Sequence, residues 1–448
     1  MGGGLLNKRN SLKLQKFKET NNKRKIIVMV TFFSILVLSC IYLYSSFAVF
    51  NEEKHFNVIN GEIQDPGDIY FAYYVDNEIT REFPSINSGY TLDMEKSNCT
   101  NGVSINFDDS NWQVNLNYKN YKAIDNTRTR CTLFFKKTFI RDLIVESLTN
   151  NDIFYDDYGN LRYMGSNPNN YILVDNDYWR IIGIEKIMDD QNNEQQLVKI
   201  IKDSSIGSYS WDTSESSINN GYGVNEWSQA DLMKLLNPGY ESESVGGSLY
   251  WNSKMGSCYT SISMGSTSCS FAESGMKENL KKMISKVYWP LGSNGQNLYD
   301  ETTNGLVKHF YTYERSDNTG KICSVSDYCT DTVTRTTKWL GYVGLLYPSD
   351  YGYATSDKSC LNEVMISWGS SCYQQNWLYL DTGYQWTMTP SASDKYNHGI
   401  FVIHTSGNIL MFGTNGTIET RPVVYLKKNL LLKQGDGSKA NPYILSEK

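Results

Sequence analysis

An uncharged, strongly apolar segment near the start of the chain is the feature that most constrains its fold. Residues 26–50 read IIVMVTFFSILVLSCIYLYSSFAVF and contain no lysine, arginine, aspartate or glutamate. As a helix this segment would extend roughly 37 Å, enough to cross a hydrocarbon core of about 30 Å. We therefore predict an N-terminal transmembrane helix over 26–50, an uncleaved signal anchor whose partner is the lipid bilayer.

The charges on either side of this segment predict its orientation. Residues 1–25 hold eight lysines and arginines against the single acid Glu19, a net charge of +7. Because the whole chain carries −6 and residues 26–50 carry none, the remainder carries −13. Basic flanks stay in the cytoplasm, so we predict a single-pass cell-membrane protein with a basic cytoplasmic tail and extracellular C-terminal domains. The acidic remainder argues against nucleic acid as a partner.

Two alternatives to an uncleaved anchor follow from the same residues. A cleaved signal peptide would have a shorter apolar core and a small-residue cleavage site, whereas this segment ends in Phe-Ala-Val-Phe. The run Val37-Leu38-Ser39-Cys40 loosely resembles the lipidation site of bacterial lipoproteins. Further apolar residues follow Cys40, which favours a buried thiol in a membrane helix over lipidation.

The cysteines beyond the apolar segment indicate disulfides. Their number is eight, which is even, and an oxidising exterior favours pairing. They fall into neighbouring couples, which predicts sequential pairing of Cys99 with Cys131, Cys258 with Cys269, Cys323 with Cys329, and Cys360 with Cys372. No Cys-x-x-Cys occurs and no histidine lies at ligand spacing from a cysteine. We therefore predict neither a metal site nor a cofactor.

Patterns of apolar residues divide the rest of the chain into three regions. Short β-like runs such as VSINF and WQVNLNY predict a small β-sandwich spacer over 51–137. Apolar residues at helical spacing, followed by a polar run, predict a helical linker over 138–170. Strands and helices in irregular order predict an α+β domain over 171–448, with helices at 226–237 and near 272–287.

The stretch from Trp386 to Leu426 predicts consecutive strands. GIFVIHTSGNILMF is two apolar runs around a turn, which indicates a β-hairpin. Asn415-Gly416 is a two-residue turn signal, and Pro422 should lie at a strand start, edge or bulge because it cannot donate to a ladder. Together these features predict a three-stranded closing meander.

The same stretch resembles a known type of module. It contains Trp-x-x-x-Pro-Ser from Trp386, a hydrophobic strand, a glycine turn and Arg-Pro-Val-Val-Tyr-Leu ending at Leu426. This order resembles C-type-lectin-like and formylglycine-generating-enzyme-like modules of surface proteins from low-GC Gram-positive bacteria, over roughly residues 170–445. The resemblance implies a C-type-lectin-like α+β domain. Glu-Pro-Asn, Gln-Pro-Asp and Trp-Asn-Asp are absent, and Cys360 and Cys372 look like a disulfide couple. Neither calcium-dependent sugar binding nor oxidase activity therefore carries over.

The functional signal that remains is aromatic. Exposed tyrosine and tryptophan provide rigid contact area for proteins and flat faces for sugars. Filling the core is the competing role for each ring. The candidate ligand-binding residues are Trp377, Tyr384, Trp386, Tyr396 and His398. We predict an adhesin-like extracellular domain that binds a protein or a glycan.

Catalysis is not predicted for any residue. Ser391, Ser393, Asp394 and His398 are close in sequence, but no Gly-x-Ser-x-Gly elbow surrounds either serine. His404 is interpreted as the end of a strand beside its turn. Two alternatives stay open: an enzyme that acts on the cell envelope, and a structural envelope protein without a ligand.

Overall fold

A computed structural model describes most of the chain beyond the N-terminal region. The described residues are 69–85, 89–108, 112–122, 128–149, 151–213, 223–260, 265–295, 305–316, 333–392 and 398–447. They divide into two compact units, one within Met1–Phe83 and Leu92–Phe134, the other within Pro84–Thr91 and Phe135–Lys448. The predicted transmembrane segment 26–50 lies outside the described residues. No helix in the described part is long and apolar enough to cross a membrane.

The N-terminal strands are short, and most of their residues belong to the first unit. The first seven strands are β1 (Tyr70–Val75), β2 (Glu78–Thr80), β3 (Tyr90–Leu92), β4 (Asn98–Cys99), β5 (Ser104–Asp108), β6 (Gln113–Asn117) and β7 (Arg130–Lys137). One sheet has the order β2-β1-β7-β3 with β4 also on β7, and β5 and β6 form a separate hairpin. The Cys99–Cys131 disulfide joins residues directly opposite each other on β4 and β7. Closing a loop of this size contributes roughly 3–4 kcal/mol of stability.

The second unit contains the remaining strands. They are β8 (Ile153–Tyr155), β9 (Leu161–Tyr163), β10 (Tyr171–Val174), β11 (Asp177–Asp189), β12 (Glu194–Lys202), β13 (Ser208–Tyr209), β14 (Met255–Tyr259), β15 (Ser266–Ser270), β16 (Ile284–Ser285), β17 (Val287–Pro290), β18 (Lys338–Gly341), β19 (Val343–Gly344), β20 (Gln385–Pro390), β21 (Gly399–Ile403), β22 (Ile409–Gly413), β23 (Ile418–Glu419), β24 (Val423–Leu426), β25 (Leu431–Gln434) and β26 (Ile444–Ser446). Its helices are α1 (Ile140–Glu146), α2 (Asp231–Leu236), α3 (Glu278–Met283), α4 (Val307–Glu314), α5 (Pro348–Tyr353) and α6 (Ser370–Tyr373).

Two sheets organise this unit. The larger has the order β16-β24-β12-β11-β17-β18, with β9 and β10 also on β11, β8 on β9 and β19 on β24. The smaller has the order β13-β23-β20-β21-β22. The tight turn between β10 and β11 is made by Asp175 and Asn176, both with positive φ, as a hairpin that follows the twist of its strands requires.

The predicted fold class is wrong. The structure is mostly β-sheet, with 39% strand and 15% helix, so an α+β C-type-lectin-like domain behind a β-sandwich and a transmembrane helix does not describe it. The helix expected near 272–287 illustrates why the predicted fold class was wrong. Only Glu278–Met283 is helical. Ile284 and Val287, which share the apolar face of that pattern, instead pair in the larger sheet with Leu426 and Gly341.

The predicted hairpin is confirmed, but the meander is not. β21 and β22 pair antiparallel around the turn after His404. The next strand, β23, pairs with β13 and β20 rather than with β22. Pro422 directly precedes β24, which leaves the smaller sheet and pairs with β12 in the larger one. The chain therefore connects two sheets at the point where consecutive pairing was expected.

Three of the four predicted disulfides are present. Besides Cys99–Cys131, Cys258–Cys269 links β14 to β15, and Cys360–Cys372 is fully buried. Cys323, Cys329 and Cys40 lie outside the described residues. The three bonds indicate an oxidising, extracellular setting.

Candidate functional site

The two tryptophans predicted to bind a ligand lie in the core of the second unit. Trp377 is 5% exposed and Trp386 is 1% exposed. The indole N–H of Trp377 donates to the carbonyl oxygen of Tyr163 at 3.0 Å, and that of Trp386 to the carbonyl oxygen of Tyr209 at 2.8 Å. Their polar atoms are thus satisfied internally, and neither ring presents a face to a ligand.

The other three predicted residues have different surroundings. Tyr396 lies outside the described residues. His398 is half-buried, and burial lowers the pKa of its imidazole. Its carbonyl oxygen accepts the backbone N–H of Thr414 at 2.9 Å. Tyr384 is half-buried beside His404 and Phe412, so it alone joins a group of partly exposed rings.

This group forms an aromatic row in two halves at the smaller sheet. Its members are Tyr373, Tyr379, Tyr384, His404 and Phe412. Centroid distances are 4.6 Å for Tyr373–Tyr379, 4.3 Å for Tyr384–His404 and 5.7 Å for Tyr384–Phe412. The hydroxyl of Tyr379 donates to the carbonyl oxygen of Thr405, so the turn between β21 and β22 connects the two halves of the row.

Local backbone requirements place the row. Gly407 closes the turn with φ +81°, and an added Cβ would lie 2.3 Å from the ring of Tyr373. A side chain at 407 would therefore displace the tyrosine. Tyr384 comes directly before β20, and its carbonyl oxygen accepts the backbone N–H of Glu419 at 3.1 Å. Tyr384 and His404 thus lie at strand ends, Tyr373 lies in α6 and Phe412 lies within β22.

The hydrogen bonds of His404 define what Tyr384 can offer a ligand. Nδ1 of His404 accepts the backbone N–H of Ser406 at 3.0 Å, so this nitrogen carries no proton in the neutral ring. Nε2 then carries the proton and donates to the hydroxyl oxygen of Tyr384 at 2.7 Å. Because that oxygen accepts from His404, the O–H of Tyr384 is available to donate to another group. The row therefore combines flat apolar faces with one directed donor.

A carboxylate lies next to the row. Glu419 accepts a hydrogen bond from Thr382 at 3.0 Å, and its side chain approaches Gly383 so closely that a Cβ there would lie 3.0 Å from it. Gly383 directly precedes Tyr384. An acceptor thus accompanies the tyrosine donor, which is a suitable set for hydroxyl groups packed on aromatic faces.

A second cluster, of buried charges, lies in the larger sheet. Its cations are Arg162, Lys199 and Arg315, and its carboxylates are Asp156, Glu185, Glu314 and Asp350. Glu185 forms salt bridges with all three cations. Its carboxylate lies 3.3 Å from Lys199 and 3.2 Å from Arg315, and it also pairs with Arg162. Asp350 lies 2.6 Å from Lys199. Every charged group in the cluster therefore has an opposite partner.

Tight strand packing positions this cluster. Gly183 on β11 opposes Arg162 on β9, and a Cβ at 183 would lie 1.9 Å from the carbonyl oxygen of Leu161. Only glycine permits this approach, which brings Arg162 next to Glu185. Lys199 and Tyr425 face each other on β12 and β24, and the hydroxyl of Tyr425 donates to Glu185 at 3.0 Å.

The two buried glutamates of the cluster have opposite pKa shifts. Burial alone would raise the pKa of Glu185, but Arg162, Lys199 and Arg315 together hold it well below its usual range. Burial raises the pKa of Glu314, against the opposing effect of Arg315. Mutual pairing of this kind supports the fold. Among the described residues, no group of three or more His, Cys, Asp or Glu is placed to hold a metal ion.

Comparisons with known proteins identify no similar protein for this chain. No protein-family model, no curated protein and no solved structure matches the chain. The resemblance to formylglycine-generating-enzyme-like modules thus stays a prediction from sequence.

Sequence reasoning missed most of the row. Tyr384 was predicted, whereas Tyr373 and Phe412 were not, and His404 was interpreted only as a strand end. One local signal was available, because His404 is followed by Ser406 and Gly407 in a tight turn, where a histidine can accept the backbone N–H two residues ahead. No local signal indicates that Tyr373 meets this turn.

Proposed function

We propose that this protein is an extracellular, adhesin-like binding protein whose aromatic row binds a glycan. The observation that carries the proposal is the half-buried ring of Tyr384, which contacts His404 and Phe412 and whose hydroxyl oxygen lies 2.7 Å from Nε2 of His404. Sugars bind where apolar C–H faces pack on rings while hydroxyl groups exchange hydrogen bonds, and the row has both parts.

The setting and rigidity of the row support the same proposal. The disulfides indicate an oxidising exterior, where glycans are abundant ligands. Phenol rings held by hydrogen bonds and neighbouring rings lose little conformational entropy on binding. A protein ligand is the competing occupant, since tyrosine-rich surfaces also bind proteins.

Glycan binding should depend on Tyr384 in two separable ways. Tyr384→Ala is expected to weaken binding by at least about tenfold, because both ring packing and the hydroxyl donor are lost. Tyr384→Phe should weaken it about fivefold, because only the hydroxyl is lost. A glycan array probed with the oxidised protein would identify a ligand, and titration calorimetry would measure the affinities.

The matched control is Tyr155→Ala, which removes a tyrosine that is 52% exposed and outside the row. It should leave glycan affinity unchanged. Retention of no glycan on the array would contradict the proposal. Capture of a protein whose affinity falls in Tyr384→Ala would instead assign the row to protein binding.

A further inference from the structure

The buried charge cluster brings together an amine and a carboxyl from distant parts of the chain. Nζ of Lys199 on β12 lies 2.6 Å from Oδ2 of Asp350 on α5, although the two residues are 151 positions apart. Both side chains are 0% exposed. An ion pair at the surface separates and is hydrated easily, whereas this amine and this carboxyl are held in contact away from bulk water.

Neighbouring groups fix both partners of this contact. Oδ1 of Asp350 accepts a hydrogen bond from Nη1 of Arg162 at 2.8 Å, and Oδ2 accepts the backbone N–H of Tyr347 at 3.1 Å. The buried rings of Tyr347 and Tyr425 lie 4.6 and 5.5 Å from Nζ of Lys199. Groups held in this way react as if at a very high concentration, because the entropy of bringing them together is already lost on folding.

Glu185 provides a proton acceptor beside the same amine. Its two carboxylate oxygens lie 3.3 and 3.4 Å from Nζ of Lys199, and it shares both Lys199 and Arg162 with Asp350. Burial would raise the pKa of Glu185, but three cations, Lys199 among them, hold it low. When Lys199 gives up a proton, one of these cations is lost, and Glu185 becomes a stronger base at that moment.

We infer that Lys199 and Asp350 condense to an intramolecular isopeptide bond, with Glu185 as the proton carrier and Arg162 as the group that stabilises the developing negative charge. Glu185 passes a proton from Nζ to Oδ2, so that a neutral amine faces a neutral carboxyl. The lone pair of Nζ then attacks Cγ, and the negative charge that develops on Oδ1 is held by the guanidinium of Arg162.

The second half of the reaction releases water. Glu185 moves a second proton from the nitrogen to Oδ2, which leaves as water while Oδ1 becomes the carbonyl oxygen of the new amide. One ammonium and one carboxylate are thus converted to one amide and one water. Glu185 is regenerated, and no oxidant or other co-reactant is consumed.

Burial favours the product over the ion pair. A buried ion pair loses most of its hydration, whereas an amide is neutral and needs only hydrogen-bond partners. Exclusion of bulk water also removes the reactant for hydrolysis. Arg162 and Arg315 keep Glu185 as a counterion after Lys199 has reacted. The bond ties the larger sheet covalently to α5, and this inference does not depend on the aromatic row or on glycan binding.

Mass spectrometry of the purified full-length protein, after reduction of its disulfides, tests the inference. The protein is expected to be lighter than its sequence by the mass of one water. A proteolytic digest should contain one branched peptide, and fragmentation should place its junction at Lys199 and Asp350. Fragmentation is required because a succinimide at Asp436-Gly437 would cause the same loss of mass.

Two substitutions within the cluster form a matched pair. Glu185→Gln should abolish the loss of water, because an amide cannot carry the proton. Glu314→Gln should retain it, because the salt bridge of Glu314 is with Arg315. Lys199→Arg keeps a cation but removes the amine, so this variant should also have the full mass. Circular dichroism shows which variants are folded, and the wild-type digest decides the question even if a variant does not fold.

A folded wild-type protein with the full mass of its sequence would overturn the inference. A loss of water that fragmentation places at other residues would do the same, as would a folded Glu185→Gln protein that carries the bond. Tyr384→Ala should lose glycan binding and keep the bond. Failure of the proposed function and failure of this inference are therefore separate results.

Discussion

Glu185→Gln is expected to lower the free energy of unfolding by roughly 3–5 kcal/mol at neutral pH, because it leaves buried cations without their shared counterion. Glu185 is 2% exposed and contacts Arg162, Lys199 and Arg315. A neutral amide of the same size keeps the packing but removes the charge. Urea denaturation of the oxidised protein, followed by tryptophan fluorescence, measures the difference.

Glu314→Gln is the matched control, since Glu314 is fully buried in the same cluster. Burial raises its pKa, and it contacts one cation, Arg315, where Glu185 contacts three. Replacing it with a neutral amide should therefore lower the free energy of unfolding by less than half as much as Glu185→Gln does. Equal losses in the two variants would show that the cluster does not depend on the charge of Glu185.

The pH dependence of the two variants should differ in sign. The folded-state pKa of Glu185 is depressed, so its stabilisation is present above the unfolded-state pKa and is lost as pH falls through the folded-state pKa. Glu185→Gln should lack this acid-dependent loss. The pKa of Glu314 is raised, so its contribution is fully present below the unfolded-state pKa and declines as pH rises through the folded-state pKa. Denaturation series from neutral to acidic pH would measure both.

Trp386→Ala is expected to lower the free energy of unfolding by roughly 3–5 kcal/mol, as truncation of a buried aromatic ring does. The ring is 1% exposed, and its loss also leaves the carbonyl oxygen of Tyr209 without its indole donor. Tyr384→Ala, two residues earlier, should cost less than half as much, because Tyr384 is half-buried. The two variants separate a core role from a binding role.

Thermal or urea denaturation decides between these roles. If the Trp386→Ala protein keeps its stability but fails to bind glycan, Trp386 contributes to the binding site. Its burial argues for the other outcome, a less stable protein whose folded fraction binds glycan as the wild type does. Binding should therefore be compared at a temperature where both proteins are folded.

Features set by residues near one another in the chain could be predicted from the sequence. Cys258–Cys269 and Cys360–Cys372 join cysteines 11 and 12 residues apart, and the hairpin of β21 and β22 follows from two apolar runs around a turn. Short loops close at low entropic cost, which makes such pairings the favoured ones.

The fold class could not be predicted in the same way. The apolar pattern over 272–287 suits a helix, but Ile284 and Val287 gain more from pairing with Leu426 and Gly341. Strand and helix patterns are hard to distinguish in short apolar runs, and the partner decides between them. The same holds for β24, which the sequence places in a meander and which pairs with β12 instead.

The sequence contains a weak signal for the charge cluster. Glu185 directly follows the apolar run Ile181–Ile184, and Lys199 lies within Leu197–Ile201, where a charge is expensive unless it is paired. Such positions predict that buried partners exist. They do not identify them, because Arg162 and Asp350 are 188 residues apart.

The sequence by itself therefore determined three disulfides, a hairpin and the oxidising setting they indicate, since each depends on spacing, local pattern or residue type. Only the tertiary structure decided which aromatic rings fill the core and which form the row, and which charges meet. The physical reason is that burial is a property of the assembled sheets. Trp386 and Tyr384 are two residues apart, yet Trp386 is 1% exposed and donates to Tyr209, while Tyr384 is half-buried beside His404.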